Sequence, residues 1–231
     1  MPSRKKTSMF VAGFLASVGS FALICTSLGT QQWVSSRVNF TEAPDVSYGY
    51  VNVAYGLFEG TSELVNVKGG LSSPAKGFQV LTVANGSGSI HIVHVLIIVL
   101  LVAGLLCSLL SSGITCYNSV SNPYRTFFGP IGVYAWNGSN GILILLAMIL
   151  SAVNTEVNKM PLYLASKTIP SRVTLDSPQS SYGYSFWLLL VILLLNAATI
   201  IIIYFYQHAR YSKRKEQQRP MENAPKDVIL F

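Results

Sequence analysis

Few side chains in this chain are of a type and spacing that could do chemistry. His91 and His94 stand three apart, which places two imidazoles on one helix face. Two imidazoles could ligate a metal, but a site needs three or four ligands and no Cys, Asp or Glu lies nearby in sequence. They are expected as histidines at a membrane interface. Three sequons, Asn39-Phe40-Thr41, Asn85-Gly86-Ser87 and Asn137-Gly138-Ser139, have the N-x-[ST] pattern that accepts N-glycans. Glycan addition is expected at Asn39, at Asn85 or at both. Asn137 falls inside an apolar span and is not expected to be reached. Motifs for a serine hydrolase, a phosphate loop or a zincin are missing, as is any cofactor fingerprint. No enzyme and no cofactor are expected.

The last residues, Asp227-Val-Ile-Leu-Phe231, offer a different chemistry. A free carboxylate on Phe231, with Ile229 two before it, suits strand addition to a PDZ-type groove. There backbone amides catch the carboxylate and alternate side chains enter pockets. The alternative is a tail end that touches the membrane.

The elements that must position these groups are apolar helices. The chain has 231 residues, 51% hydrophobic and only 11% charged. About a quarter would be charged in an ordinary soluble domain. Residues 186–206 carry no charge, and Asn196 is the only strongly polar side chain among them. That length of helix crosses a bilayer core. Trp187 at one end, with Tyr204 and Tyr206 at the other, form interfacial aromatic belts. Further spans are expected at 9–30, 91–116 and 131–153. A basic start before an apolar run also fits a signal peptide, but this run exceeds the usual core of about 7–15 residues. A retained helix is expected. Small residues spaced by four, Gly104, Ser108 and Ser112, give the second span a face on which another helix can pack closely. Ala12, Ala16 and Ser20 repeat that pattern in the first span. The third span holds Asn137 and Asn140, which should face other helices, where an amide finds partners. Beginning that helix at Gly141 would leave it too short to cross.

Between the spans lie loops at 31–90 and 154–185, a turn at 117–130, and end segments at 1–8 and 207–231. Tyr48–Phe58 and Phe78–Val83 have the β-branched and aromatic content of strands. They predict a small antiparallel β layer over the membrane. The second loop shows no clear periodicity after Leu164. The three cysteines, Cys25, Cys107 and Cys116, all lie in apolar segments, so the loops hold no disulfide. The charged tail is expected to lack regular structure.

Charge sets the expected orientation. With both ends in the cytosol, the inner segments hold ten basic and three acidic residues, and the outer loops hold six of each. The excess of basic residues on the short inner segments is the positive-inside signature, and the whole net charge of +7 then lies inside. Anionic lipid of the inner leaflet is the expected partner of that charge, rather than nucleic acid.

The chain resembles the clarins, four-span membrane glycoproteins distantly like claudins and tetraspanins. The matching pieces are Tyr55-Gly-Leu-Phe58, Asn122-Pro-Tyr124 with Gly129-Pro130, and Ser185-Phe-Trp187. Lys5-Lys-Thr7, Ser111-Ser-Gly113, Tyr117-Asn-Ser119, Gly132-Val-Tyr134, Tyr182-Gly-Tyr184 and Ile229-Leu-Phe231 add to them. The resemblance implies plasma-membrane organisation, with sensory hair-cell roles in the better-known members. One departure is that those members carry cysteines in the first outer loop, as claudins do, and this loop has none. The expected fold is an all-α membrane protein, a four-transmembrane-helix bundle with a small β layer outside. The expected function is non-enzymatic organisation of membrane or adhesion complexes through other membrane proteins and a PDZ scaffold. The alternative is an accessory subunit of a channel or transporter.

Overall fold

The computed structural model describes residues 4–42, 47–66, 71–120, 129–168 and 173–218. Four helices are long and apolar enough to cross a membrane: α1 (Arg4–Gly29), α3 (Gly88–Val120), α4 (Pro130–Glu156) and α6 (Tyr184–Gln218). Each exceeds the roughly 20 residues that a bilayer core requires. Glu156, the last residue of α4, is the single Asp, Glu, Lys or Arg within the four apolar spans. The α4 helix begins at Pro130, which suits the first helical turn because its missing N–H would be unpaired there anyway. Asn137 and Asn140 are therefore inside the helix, and both are buried.

The chain is not all helix. Both loops contribute to one sheet of seven strands. The first loop supplies β1 (Val34–Glu42), β2 (Ser47–Tyr55), β3 (Glu59–Asn66), β4 (Leu71–Ser72) and β5 (Lys76–Gln79). The second supplies β6 (Val173–Leu175) and β7 (Gln179–Tyr182). The order is β4-β3-β2-β1-β6, with β5 also on β3 and β7 also on β1, and every pairing is antiparallel. Side chains alternate across a strand. Val34, Val38 and Phe40 of β1, with Val51, Val53 and Tyr55 of β2, are buried on one face. Arg37 and Asn39 look outward on the other face.

Three expectations change. The run Phe78–Val83 is not a strand. It divides between β5 and a short helix, α2 (Val80–Ala84). Val80 and Ala84 are buried while Thr82 is exposed, a helical spacing that five residues are too few to announce. The second loop is more ordered than its sequence implies, since α5 (Met160–Thr168) buries Met160, Leu164 and Ala165. The tail is helical as far as Gln218, because α6 continues past its apolar span.

Candidate functional site

Two polar assemblies stand out, one between the helices and one under the sheet. In the first, serines on the small faces of α1 and α3 receive the amides of α4, and Asn196 of α6 joins through Asn140. Ser111 Oγ lies 2.6 Å from Asn137 Nδ2, which donates to it, and 3.1 Å from Ser17 Oγ. Asn140 Nδ2 donates to Asn196 Oδ1 at 3.2 Å and to Ser20 Oγ at 3.3 Å. All six side chains are buried. The seam thus links α1, α3, α4 and α6. An amide left unpaired among apolar helices costs free energy, so such pairs fix the rotation and depth of each helix.

Gly104 is buried against this seam. A Cβ at Gly104 would lie 2.9 Å from Asn140 Oδ1 and 3.2 Å from Ile144 Cδ1. Ser108 and Ser112 are buried on the same helix, and each hydroxyl donates to the carbonyl three residues before it. Ser111, next to Ser112 in the chain, makes the interhelical bonds and lies off the spacing of four. On α1, Gly13, Ser17 and Ser20 are buried, whereas Ala12 and Ala16 are half-buried.

The second assembly lies where α1 leaves the bundle. Residues Thr30–Trp33 run between two segments quoted above, Tyr55–Phe58 and Tyr182–Trp187. On one side Trp33 N–H donates to Tyr55 O at 3.2 Å, and a side chain on Gly56 would strike Thr30 O. On the other side Gly183 N–H donates to Trp33 O at 2.8 Å, and a side chain on Gly183 would strike Gln32 O. Only glycine allows backbones so close. Trp33 Nε1 donates to Ser27 O, the Ser27 hydroxyl donates to Ser185 O, and Thr30 Oγ1 meets Ser185 Oγ at 2.7 Å.

His94 closes the assembly from α3. It is buried, and its Nε2–H donates to Leu57 O at 2.8 Å. It therefore acts as a staple between helix and sheet. Among the described residues no group of His, Cys, Asp and Glu could hold a metal ion. Beneath Tyr55 and Leu57 is a cavity of about 10 Å³, lined also by His94, Ser151, Asn154 and Thr155. That is about the room for one water. Burial pushes the Tyr55 phenol well above its usual pKa, while its contact with Thr155 Oγ1 at 3.5 Å works against the rise. Tyr182 is pushed up to about 12, first by burial and then by its bond to Glu156, whose Oε1 accepts from the hydroxyl at 3.1 Å.

The modification sites lie apart from both assemblies. Asn39 is exposed in mid-strand opposite Tyr50, and the Arg37 guanidinium lies 3.5 Å from the centroid of that ring. Asn85 is exposed in the turn between α2 and α3. Asn137 is 1% exposed and sits in the seam. Ile229 and Phe231 lie outside the described residues, as do Asn122-Pro-Tyr124.

Four apolar helices with their amides turned inward define a multi-pass membrane protein. The Clarin-2-like family model matches residues 4–203. Clarin-3 from Rattus norvegicus is 48% identical over 231 residues, and clarin-3 from Homo sapiens is 47% identical, each covering both chains in full. Clarin-2 from Homo sapiens is 28% identical over 157 residues, covering 64% of this chain and 66% of its own. The chain belongs to the clarin family.

Proposed function

We propose that this clarin-family protein is a non-enzymatic organiser of membrane or adhesion complexes at the plasma membrane. In this reading both termini are cytosolic and the seven-stranded sheet lies outside. The observation that carries it is the joining of both loops into one sheet with a polar outer face. Arg37, Asn39, Tyr50 and Asn52 stand on that face in neighbouring positions of β1 and β2. Such a face offers hydrogen-bonding groups to another protein or a glycan, and the assembly around Trp33 and His94 ties the sheet to the helices below it. The apolar outer faces of the helices, with Leu15, Val99, Leu106 and Leu194 exposed, are left for lipid or neighbouring spans. The basic ends face anionic inner-leaflet lipid, and the carboxylate of Phe231 is offered to a PDZ-type scaffold. Asn39 and Asn85 are the proposed glycan acceptors.

The test has two arms. Full-length protein from native membranes should retrieve scaffold or adhesion proteins, and one residue added after Phe231 should lose the scaffold. The purified protein in planar bilayers should carry no current. A reproducible conductance would favour the channel-subunit alternative, and an unchanged retrieval by the extended tail would remove the scaffold.

A further inference from the structure

We propose that Ser212 is a phosphorylation site whose phosphate releases the tail from the membrane. The proposal rests on the reading of the tail as cytosolic and bound to anionic lipid. The α6 helix runs unbroken to Gln218, although its apolar span ends at Ala209. Nine residues, Arg210–Gln218, therefore continue as helix for about 14 Å beyond the span. Ser212 is exposed there, as are Tyr211 and Lys215. Its flanks are Arg210 two before it and Lys213, Arg214 and Lys215 directly after it. That pattern suits a kinase with an acidic peptide groove, since charge patterns set which substrates such enzymes accept.

Among the described residues, the threonine and serine that follow the first basic cluster are placed less well. Thr7 is half-buried, and both Thr7 and Ser8 fall within the first apolar span. Ser212 lies three residues outside its span, near a helix end that can fray to meet an enzyme.

In the transfer, Ser212 Oγ attacks the terminal phosphorus of a nucleoside triphosphate. The Oγ–P bond forms, the bridging P–O bond breaks, the diphosphate leaves, and the hydroxyl proton passes to a carboxylate of the kinase. Residues 207–218 hold four basic side chains and one acidic one, Glu216. A phosphate adds about −1.5 to −2 charges at neutral pH, four residues from Glu216. Removing about two net charges from a polybasic segment weakens its hold on an anionic surface about 30-fold. The chain beyond Gln218, with Ile229 and Phe231, would then be free to meet a scaffold.

The full chain, with a dye on its C-terminus, would be placed in phosphatidylserine nanodiscs, where both faces are open whatever the topology. A lipid-dependent kinase with a preference for basic substrates and ATP would be added. The readouts are the phosphopeptide map and quenching of the dye by a lipid-borne quencher. Phosphate should appear at Ser212, and the ratio of docked to free tail should fall about 30-fold. Ser212→Ala should abolish both effects, and pure phosphatidylcholine discs should show little docking at any stage. Absence of phosphate at Ser212, or phosphate there with docking unchanged, would overturn the proposal. An error in the topology would show itself separately, as surface exposure of the tail in intact cells.

Discussion

Gly104→Ala adds one methyl group to the centre of the seam. Its carbon would lie 2.9 Å from Asn140 Oδ1 and 3.2 Å from Ile144 Cδ1. The isoleucine contact is the end of a flexible side chain and can yield. The asparagine cannot move freely, because its amide holds Asn196 at 3.2 Å and Ser20 at 3.3 Å. Interhelical hydrogen bonds in membranes average about 0.6 kcal/mol each, so losing both costs about 1.2 kcal/mol. Overpacking adds about 1–3 kcal/mol. The better helix propensity of alanine returns about 1 kcal/mol. The net expectation is a loss of about 1–3 kcal/mol. Gly141 is the control, since a Cβ there meets nothing within 4 Å. Gly141→Ala should be neutral or stabilising by up to about 1 kcal/mol. Reversible unfolding of both variants in mixed micelles measures the difference. Combining Gly104→Ala with Asn140→Ala should cost less than the sum of the two single changes, because the clash is with Asn140 itself. Equal stability of the Gly104 and Gly141 variants, or strict additivity with Asn140→Ala, would refute the role given to this contact.

Three further outcomes follow from the same geometry. Glycosidase should sharpen the gel band of the wild type, and the double change Asn39→Gln with Asn85→Gln should abolish that shift. A shift that persists would mean that Asn137 is modified and that the third span is misdrawn. His94→Phe leaves the Leu57 carbonyl buried without its donor, which costs about 1–3 kcal/mol. Hydrogen exchange should then quicken around Tyr55–Leu57 and Trp33, and unchanged exchange there would contradict the staple. The Tyr182 phenol titrates near 12 in the fold and near 10 when unfolded. Its raised value makes its stabilisation complete below about pH 10 and lost as pH rises through about 12. Tyr182→Phe should reduce the fall in stability over that window, and an unchanged slope would place the titration elsewhere.

The four spans were legible because about 20 uncharged apolar residues in a row have few other uses. The buried amides of the third span were legible too, since Asn137 and Asn140 are anomalies in such a run and have to face other helices. Their partners were not, because a serine in a membrane helix is common and only three-dimensional packing selects Ser111, Ser17 and Ser20. The first strand was present in the alternation Val34-x-Ser36-x-Val38-x-Phe40, but its intervening polar residues made it read as loop. The register of β1 with β6 and β7 joins residues more than 130 apart, and nothing local specifies it. His94 was visible as a residue, but its bond to the sheet was not. Its partner is a backbone carbonyl at Leu57, a group that every residue carries and no motif marks.

The claim on which the account depends most is that both ends of the chain share the cytosolic side and the sheet faces outward. Epitope tags placed beside Pro2 and after Phe231, with antibody applied to intact and to permeabilised cells, test it directly. Either tag should stain only after permeabilisation. Staining of either tag on intact cells would contradict it.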